Sequence, residues 1–174
     1  MKRLVTLLVT ALLMTAALCV SASAADYQSA AEDLSAIGMF RGTVNGGFEL
    51  DRAPKRSEAA IMLVRLYGAE EEAAAAYQSG EISHPFKDVG PIASPYVAWL
   101  YTKGITKGAT ATTFNSNAAC TDKNYVVFLL RALGYEDGKD FQYAESLTFA
   151  EKLGFYQADY FEGPFLRDDL AAIT

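Results

Sequence analysis

Apolar side chains recur at helical spacing in two long stretches of the chain. Ala60, Leu63, Val64 and Tyr67 fall on one face of a helix predicted over residues 57–67. Val126, Leu129, Leu130 and Leu133 do the same over residues 122–133. Shorter amphipathic patterns predict helices over 27–37, 96–103 and 142–153, and another from Asp168 onward. The run AEEEAAAAYQ, residues 69–78, is a strong helix former by propensity. Glycines stand where these patterns stop, at Gly38, Gly68, Gly104, Gly134 and Gly154, consistent with left-handed C-terminal caps. No stretch sustains the period-two alternation of a half-buried strand. The pattern predicts an all-α fold.

The helices repeat. Gly38 and Gly104, Gly42 and Gly108, Phe48 and Phe114, Arg65 and Arg131, and Gly68 and Gly134 are all 66 positions apart, with no gap. A third, shorter copy aligns Gly154 with Gly38 and Arg167-Asp168-Asp169 with Arg56-Ser57-Glu58. Each copy reads as helix, glycine, loop with an aromatic (Phe48, Phe114, Phe165), then a second helix. One such pair cannot bury its own apolar face, but three stacked together can. The division expected is a leader over 1–24, then repeats over 25–80, 81–138 and 139–174, the last incomplete.

The leader changes the composition. Lys2 and Arg3, an apolar run from Leu4 to Val20 and Ala22-Ser23-Ala24 have the form of a secretory signal peptide. Its removal takes the formal net charge from −6 to −8 and leaves Cys120 as the one cysteine. So acidic a chain does not bind nucleic acid by its bulk field, and an anionic ligand needs a local cationic pocket. A lone cysteine permits neither an internal disulfide nor a cysteine-based metal site. No later segment is long and apolar enough to span a bilayer, so after leader cleavage an integral membrane protein is not expected.

Catalytic chemistry finds little to build on. His84 is the only histidine and sits beside Pro85. Cys120 reads as a buried structural thiol. Asp137-Gly138-Lys139-Asp140 lacks the other ligands of a calcium loop and reads as a turn. No spacing singles out a carboxylate pair for glycoside hydrolysis. The expectation is no enzyme, no cofactor and no metal.

The ordered motifs resemble the S-layer homology family. Phe86-Lys87-Asp88-Val89, Trp99, Gly104-Ile105-Thr106-Lys107-Gly108 and Phe114 match its repeat opening and central turn. Arg56-Ser57-Glu58 and Arg167-Asp168-Asp169 match the charged box that opens the second helix. The resemblance implies three repeats packed as a pseudo-threefold helical bundle with grooves between neighbours. It implies secretion and non-covalent attachment to the bacterial cell wall, through a secondary cell-wall polysaccharide that often carries a pyruvyl carboxylate. The alternative is a structural envelope or S-layer component with degenerate grooves, working by protein contacts. The first copy lacks the Phe-x-Asp-Val opening, and the third stops partway through its second helix. In the second copy the box reads Thr121-Asp122-Lys123-Asn124, with acid where the others carry arginine.

The glycan-binding candidates are Arg56, Arg167, Trp99, Asp88 and Lys107. A planar, permanently charged arginine suits a carboxylate. Equally, Arg56 could be a surface charge or a partner for Glu58. Trp99 could stack on a sugar or pack in the core. Asp88 could accept from sugar hydroxyls or cap the turn before Pro91. Asp122 is expected to repel a carboxylated ligand. Glu58 and Thr121 are helix caps by position, although Lys55 stands where the first copy's cap threonine belongs.

Overall fold

The computed structural model describes residues 28–43, 46–160 and 163–174. The leader expected over 1–24 lies outside them. Among the described residues seven α-helices follow in order: α1 Gln28–Ala36, α2 Arg56–Leu66, α3 Glu70–Ser79, α4 Ser94–Thr102, α5 Asp122–Ala132, α6 Ser146–Leu153 and α7 Arg167–Ala172. Short 3-10 turns occupy Tyr143–Glu145 and Ala158–Tyr160. Among the described residues strand pairing is limited to isolated bridges, one of which joins Lys55 to Ala119. The fold is all-helical.

The helices begin and end for local reasons. Thr121 caps α5 by accepting the Asn124 amide at 3.2 Å. Glu58 and Asp169 reach back to the amides of Lys55 and Leu166, at 2.8 and 2.7 Å, and so satisfy one orphan donor at the start of α2 and of α7. Gly38 and Gly104 stop their helices at φ of 79° and 74°, a conformation that penalises any residue with a Cβ.

Helix α2 is central. It packs against α3, α4 and α5, while α1 packs on α7 and α6 on α5. Being surrounded, α2 and α5 bury more than one stripe. Ala59, Ala60, Met62, Leu63 and Val64 are all buried, as are the six consecutive residues from Tyr125 to Leu130. Each fully buried leucine or valine here contributes about 1.5–3 kcal/mol. Tyr67 and Leu133, expected on the core faces, are instead 45% and 64% exposed. They sit just past the last turns of α2 and α5, where the neighbouring helices no longer cover them. There they line an apolar cleft of about 380 Å³ with Leu63, Leu129 and Phe155.

The starts of α2 and α5 abut. The Cys120 amide donates to the Pro54 carbonyl at 2.7 Å, beside the Lys55–Ala119 bridge. This contact brings the charged box of one repeat to the loop of another.

Candidate functional site

Arg56 begins α2, yet it docks on the loop of the next repeat. Its amide donates to the Ala118 carbonyl at 3.0 Å and the Ser57 amide to the Ser116 carbonyl at 3.1 Å. Its Nε donates to the Phe114 carbonyl at 2.9 Å. Arg167, at the start of α7, docks on the first repeat's loop in the same way. Its amide donates to Arg52, the Asp168 amide to Leu50, and its Nε to the Phe48 carbonyl at 2.8 Å. The acceptors 114, 116 and 118 are each 66 positions beyond 48, 50 and 52, the offset of the sequence repeat.

Both arginines are buried, at 8% and 5% exposure. Aromatic rings help to offset the cost of burying a cation. The Arg56 guanidinium lies 4.9 Å from the Phe114 ring centroid and 5.2 Å from that of Phe128. That of Arg167 lies 4.8 Å from Phe40. Desolvation nevertheless pushes both guanidinium pKa values below their ordinary value. Arg56 therefore neither stands in solvent nor pairs with Glu58, the two plain alternatives open from sequence.

Their remaining nitrogens differ. Arg167 Nη2 donates to the Arg41 carbonyl at 3.3 Å, and Nη1 pairs with Glu58 at 3.2 Å. Arg56 Nη1 donates to Asn124 Oδ1 at 2.8 Å. Glu58 is also gripped by Arg52, with Oε1 2.7 Å from Nη2. Burial would raise the Glu58 pKa, but Arg52, the Lys55 amide and Arg167 together hold it below the usual carboxylate value.

A cleft opens beside each box. That at Arg167 has a volume of about 930 Å³ and is lined by Arg41, Arg52, Lys55, Arg65 and Arg167 against Glu49 and Glu58. That at Arg56 measures about 430 Å³ and is lined by Arg56, Arg131, Thr106, Asn115, Asn124 and Tyr143, with no carboxylate in its wall. A third, about 320 Å³, has Asp122 and Tyr156 in its wall and no arginine or lysine. In a chain of net negative charge the first two clefts have locally cationic walls.

The other candidates lie elsewhere. Trp99 is 5% exposed beneath α3, donates Nε1 to Glu72 at 2.9 Å, and lies 5.2 Å from Tyr67 and under Lys103. It lines none of the three clefts. Asp88 accepts the amides of Phe114 and Ser116 at 2.7 and 3.1 Å, so its carboxylate shapes the loop on which Arg56 docks. Burial acts to raise its pKa, but those amides prevail and lower it. Lys107 is exposed and outside the wall of each cleft. Cys120 is buried, and desolvation pushes its thiol up to about 12, unsuited to nucleophilic work. Among the described residues no group of His, Cys, Asp and Glu could hold a metal ion, and no helix is long and apolar enough to cross a membrane. Sequence reasoning missed Asn124, Arg131 and Tyr143 as cleft residues. Arg131 carried a signal, as the repeat partner of Arg65, which lines the Arg167 cleft.

Residues 85–121 match the family model for the S-layer homology domain. They run from Pro85 to the cap residue of α5 and contain Asp88, Trp99 and the Phe114 loop. Domains of this family anchor proteins to cell-wall polysaccharide at the cell surface. No curated protein matches the chain.

Proposed function

We propose that this chain, an S-layer homology protein by its segment 85–121, is a secreted anchoring module that holds an anionic, pyruvylated cell-wall polysaccharide in clefts between its repeats. The observation that carries the reading is the recurrence of one docking geometry. Arg56 on loop 114–118 and Arg167 on loop 48–52 make the same backbone and Nε bonds, and each lies at a cationic cleft. The reading extends that geometry to a pseudo-threefold bundle, with Asp122 facing Tyr156 at the third junction.

Binding here involves no bond making. A sugar polymer is held by hydrogen bonds from guanidinium, amide and hydroxyl groups on the cleft walls, and its acidic substituent by charge-assisted bonds to arginine. Asp88 acts by setting the loop carbonyls that position Arg56. Trp99 joins α4 to α3 and so supports the wall rather than the ligand.

The alternative, an envelope component working through protein contacts, is favoured by the acidic third cleft. Sedimentation of residues 25–174 with purified wall sacculi separates the two. Polysaccharide binding predicts that stripping the secondary polymer abolishes co-sedimentation. Retention on stripped sacculi would instead support protein or peptidoglycan contacts.

A further inference from the structure

His84, the one histidine of the chain, sits in the strap that joins α3 to α4. Its imidazole stacks on Tyr77 of α3, with ring centroids 6.4 Å apart, and on Phe86, at 5.5 Å. Nδ1 accepts the Phe86 amide at 3.2 Å, which places the ring proton on Nε2. Nε2 is buried and has no hydrogen-bond partner among the described residues. A second proton must therefore land on Nδ1, the atom that holds the amide. Protonation removes the bond, sets two N–H groups against each other and leaves a cation stacked among rings.

What the bond holds is the wall of the Arg56 cleft. The Phe86 ring is buried, meets Phe114 at 5.8 Å and lies over Gly108. The Lys87 amide donates to the Thr112 carbonyl at 2.9 Å, and Asp88 accepts the amides of Phe114 and Ser116. Phe86, Lys87 and Asp88 thus fasten the strap to loop 108–116 at three successive residues. That loop supplies both the carbonyl and the ring on which the Arg56 guanidinium rests.

The groups around the imidazole are Tyr77 from α3, Asp88 from the strap and, behind Phe86, Tyr101 from α4. The negative charge of Asp88 favours the protonated ring. Desolvation disfavours it more strongly and holds the His84 pKa below its ordinary 6.5. The fold selects the neutral imidazole, so its contribution is complete above 6.5 and is lost as pH falls from there through the folded value.

We propose that His84 is a positioning residue, a latch on the loop that seats Arg56, and that its protonation in mild acid releases the loop and loosens the chain's hold on its wall polysaccharide. The latch touches no ligand. Its effect on binding rests on the anchoring reading, whereas the latch itself does not.

Because the histidine is single, NMR titration of isotope-labelled residues 25–174 reads its imidazole without ambiguity. The Phe86 amide signal should move with the same midpoint, below that of a histidine in an unstructured peptide. Calorimetry with wall polysaccharide between about pH 7.5 and about pH 5 should give affinity about twofold weaker at that midpoint and about tenfold weaker one pH unit below it. His84→Asn places Oδ1 where Nδ1 stands, keeps an acceptor for the amide and does not titrate, so its affinity should stay level over this range. His84→Phe keeps the stacking without the acceptor and should bind weakly throughout. A Phe86 amide that ignores the imidazole titration overturns the latch. So does a folded His84→Asn protein with the wild-type pH profile, or a wild type whose affinity is level through the midpoint. Failure to bind polysaccharide at any pH overturns the anchoring reading instead, and the titration alone then decides the latch.

Discussion

Tyr156 donates its hydroxyl to the Asp122 carboxylate at 2.7 Å. Asp122 begins α5 as Arg56 begins α2 and Arg167 begins α7. Tyr156 follows Gly154 by two residues, as Phe40 follows Gly38. At the first junction an arginine lies over a phenyl ring. At this one a carboxylate meets a phenol. The carboxylate that stands where the other two boxes carry arginine is thus met by a donor from the protein itself. Burial, with Asp122 beside it, pushes the Tyr156 pKa up and keeps the hydroxyl a donor.

That pairing predicts coupled stability. Tyr156→Phe should cost about 1.5–3 kcal/mol, the range for a hydrogen bond to a charged group. In an Asp122→Ala background the same change should cost much less. Urea denaturation of the four proteins in a double-mutant cycle measures the difference, and a coupling energy near zero would refute the pairing.

Glu58 predicts the shape of the acid limb. Its folded pKa lies below the ordinary 4.5, with burial opposed by Arg52, the Lys55 amide and Arg167. A depressed carboxylate pKa gives stability that is full above the unfolded value and is lost as pH falls through the folded one. Glu70 and Asp88 are shifted the same way. Asp169, raised by burial, works in the opposite direction. Thermal melts between about pH 6 and about pH 3 should therefore show Tm falling, and Glu58→Gln should start lower and fall less steeply. Parallel curves for the two proteins would show that Glu58 does not carry this linkage.

How much was legible follows from what is local. The helices at 57–67 and 122–133 match α2 and α5 to within a residue, because apolar spacing and a glycine stop are both short-range signals. The register of the first two boxes was legible too, through the offset of 66, and that of the Arg167 box through the alignment of Gly154 with Gly38. The partners of those boxes were not. Arg56 bonds to Phe114 and Asn124, and Asp88 to Phe114 and Ser116, across separations that no local pattern encodes. Asn124 was visible as a departure from the repeat. Its meaning depends on which arginine it faces, and that is decided only by how the repeats pack. Tyr67 and Leu133 erred in the other direction, since periodicity continues to the end of a helix and coverage does not.

Trp99 predicts a negative result for binding. Its indole nitrogen bonds Glu72 on α3, and it lines no cleft beside an arginine box. Trp99→Phe should keep most of the ring packing, lose about 0.5–1.5 kcal/mol with the hydrogen bond because solvent screens the exposed Glu72 carboxylate, and leave polysaccharide affinity unchanged. A denaturation curve and a calorimetric titration on the same preparation check both halves. A tenfold or larger loss of affinity in a folded protein would put the indole at the ligand.

Gly108 predicts a steric effect on the Arg56 cleft. It lies in the cleft wall at φ +77°, and an added Cβ would overlap the edge of the Phe86 ring and approach the Thr110 carbonyl oxygen to 2.8 Å. Gly38 has nearly the same φ, but open space around it. Gly38→Ala should thus cost only the left-handed penalty, about 1–2 kcal/mol. Gly108→Ala adds a clash in a packed site, for about 2–5 kcal/mol in all. Phe86 packs on Phe114 with ring centroids 5.8 Å apart, so its displacement would reach the loop that holds Arg56. Gly108→Ala should therefore weaken polysaccharide binding even under conditions where it is folded, while Gly38→Ala should not. Equal stability losses in the two variants would contradict the steric account, and full affinity in folded Gly108→Ala would separate the Phe86 packing from the cleft.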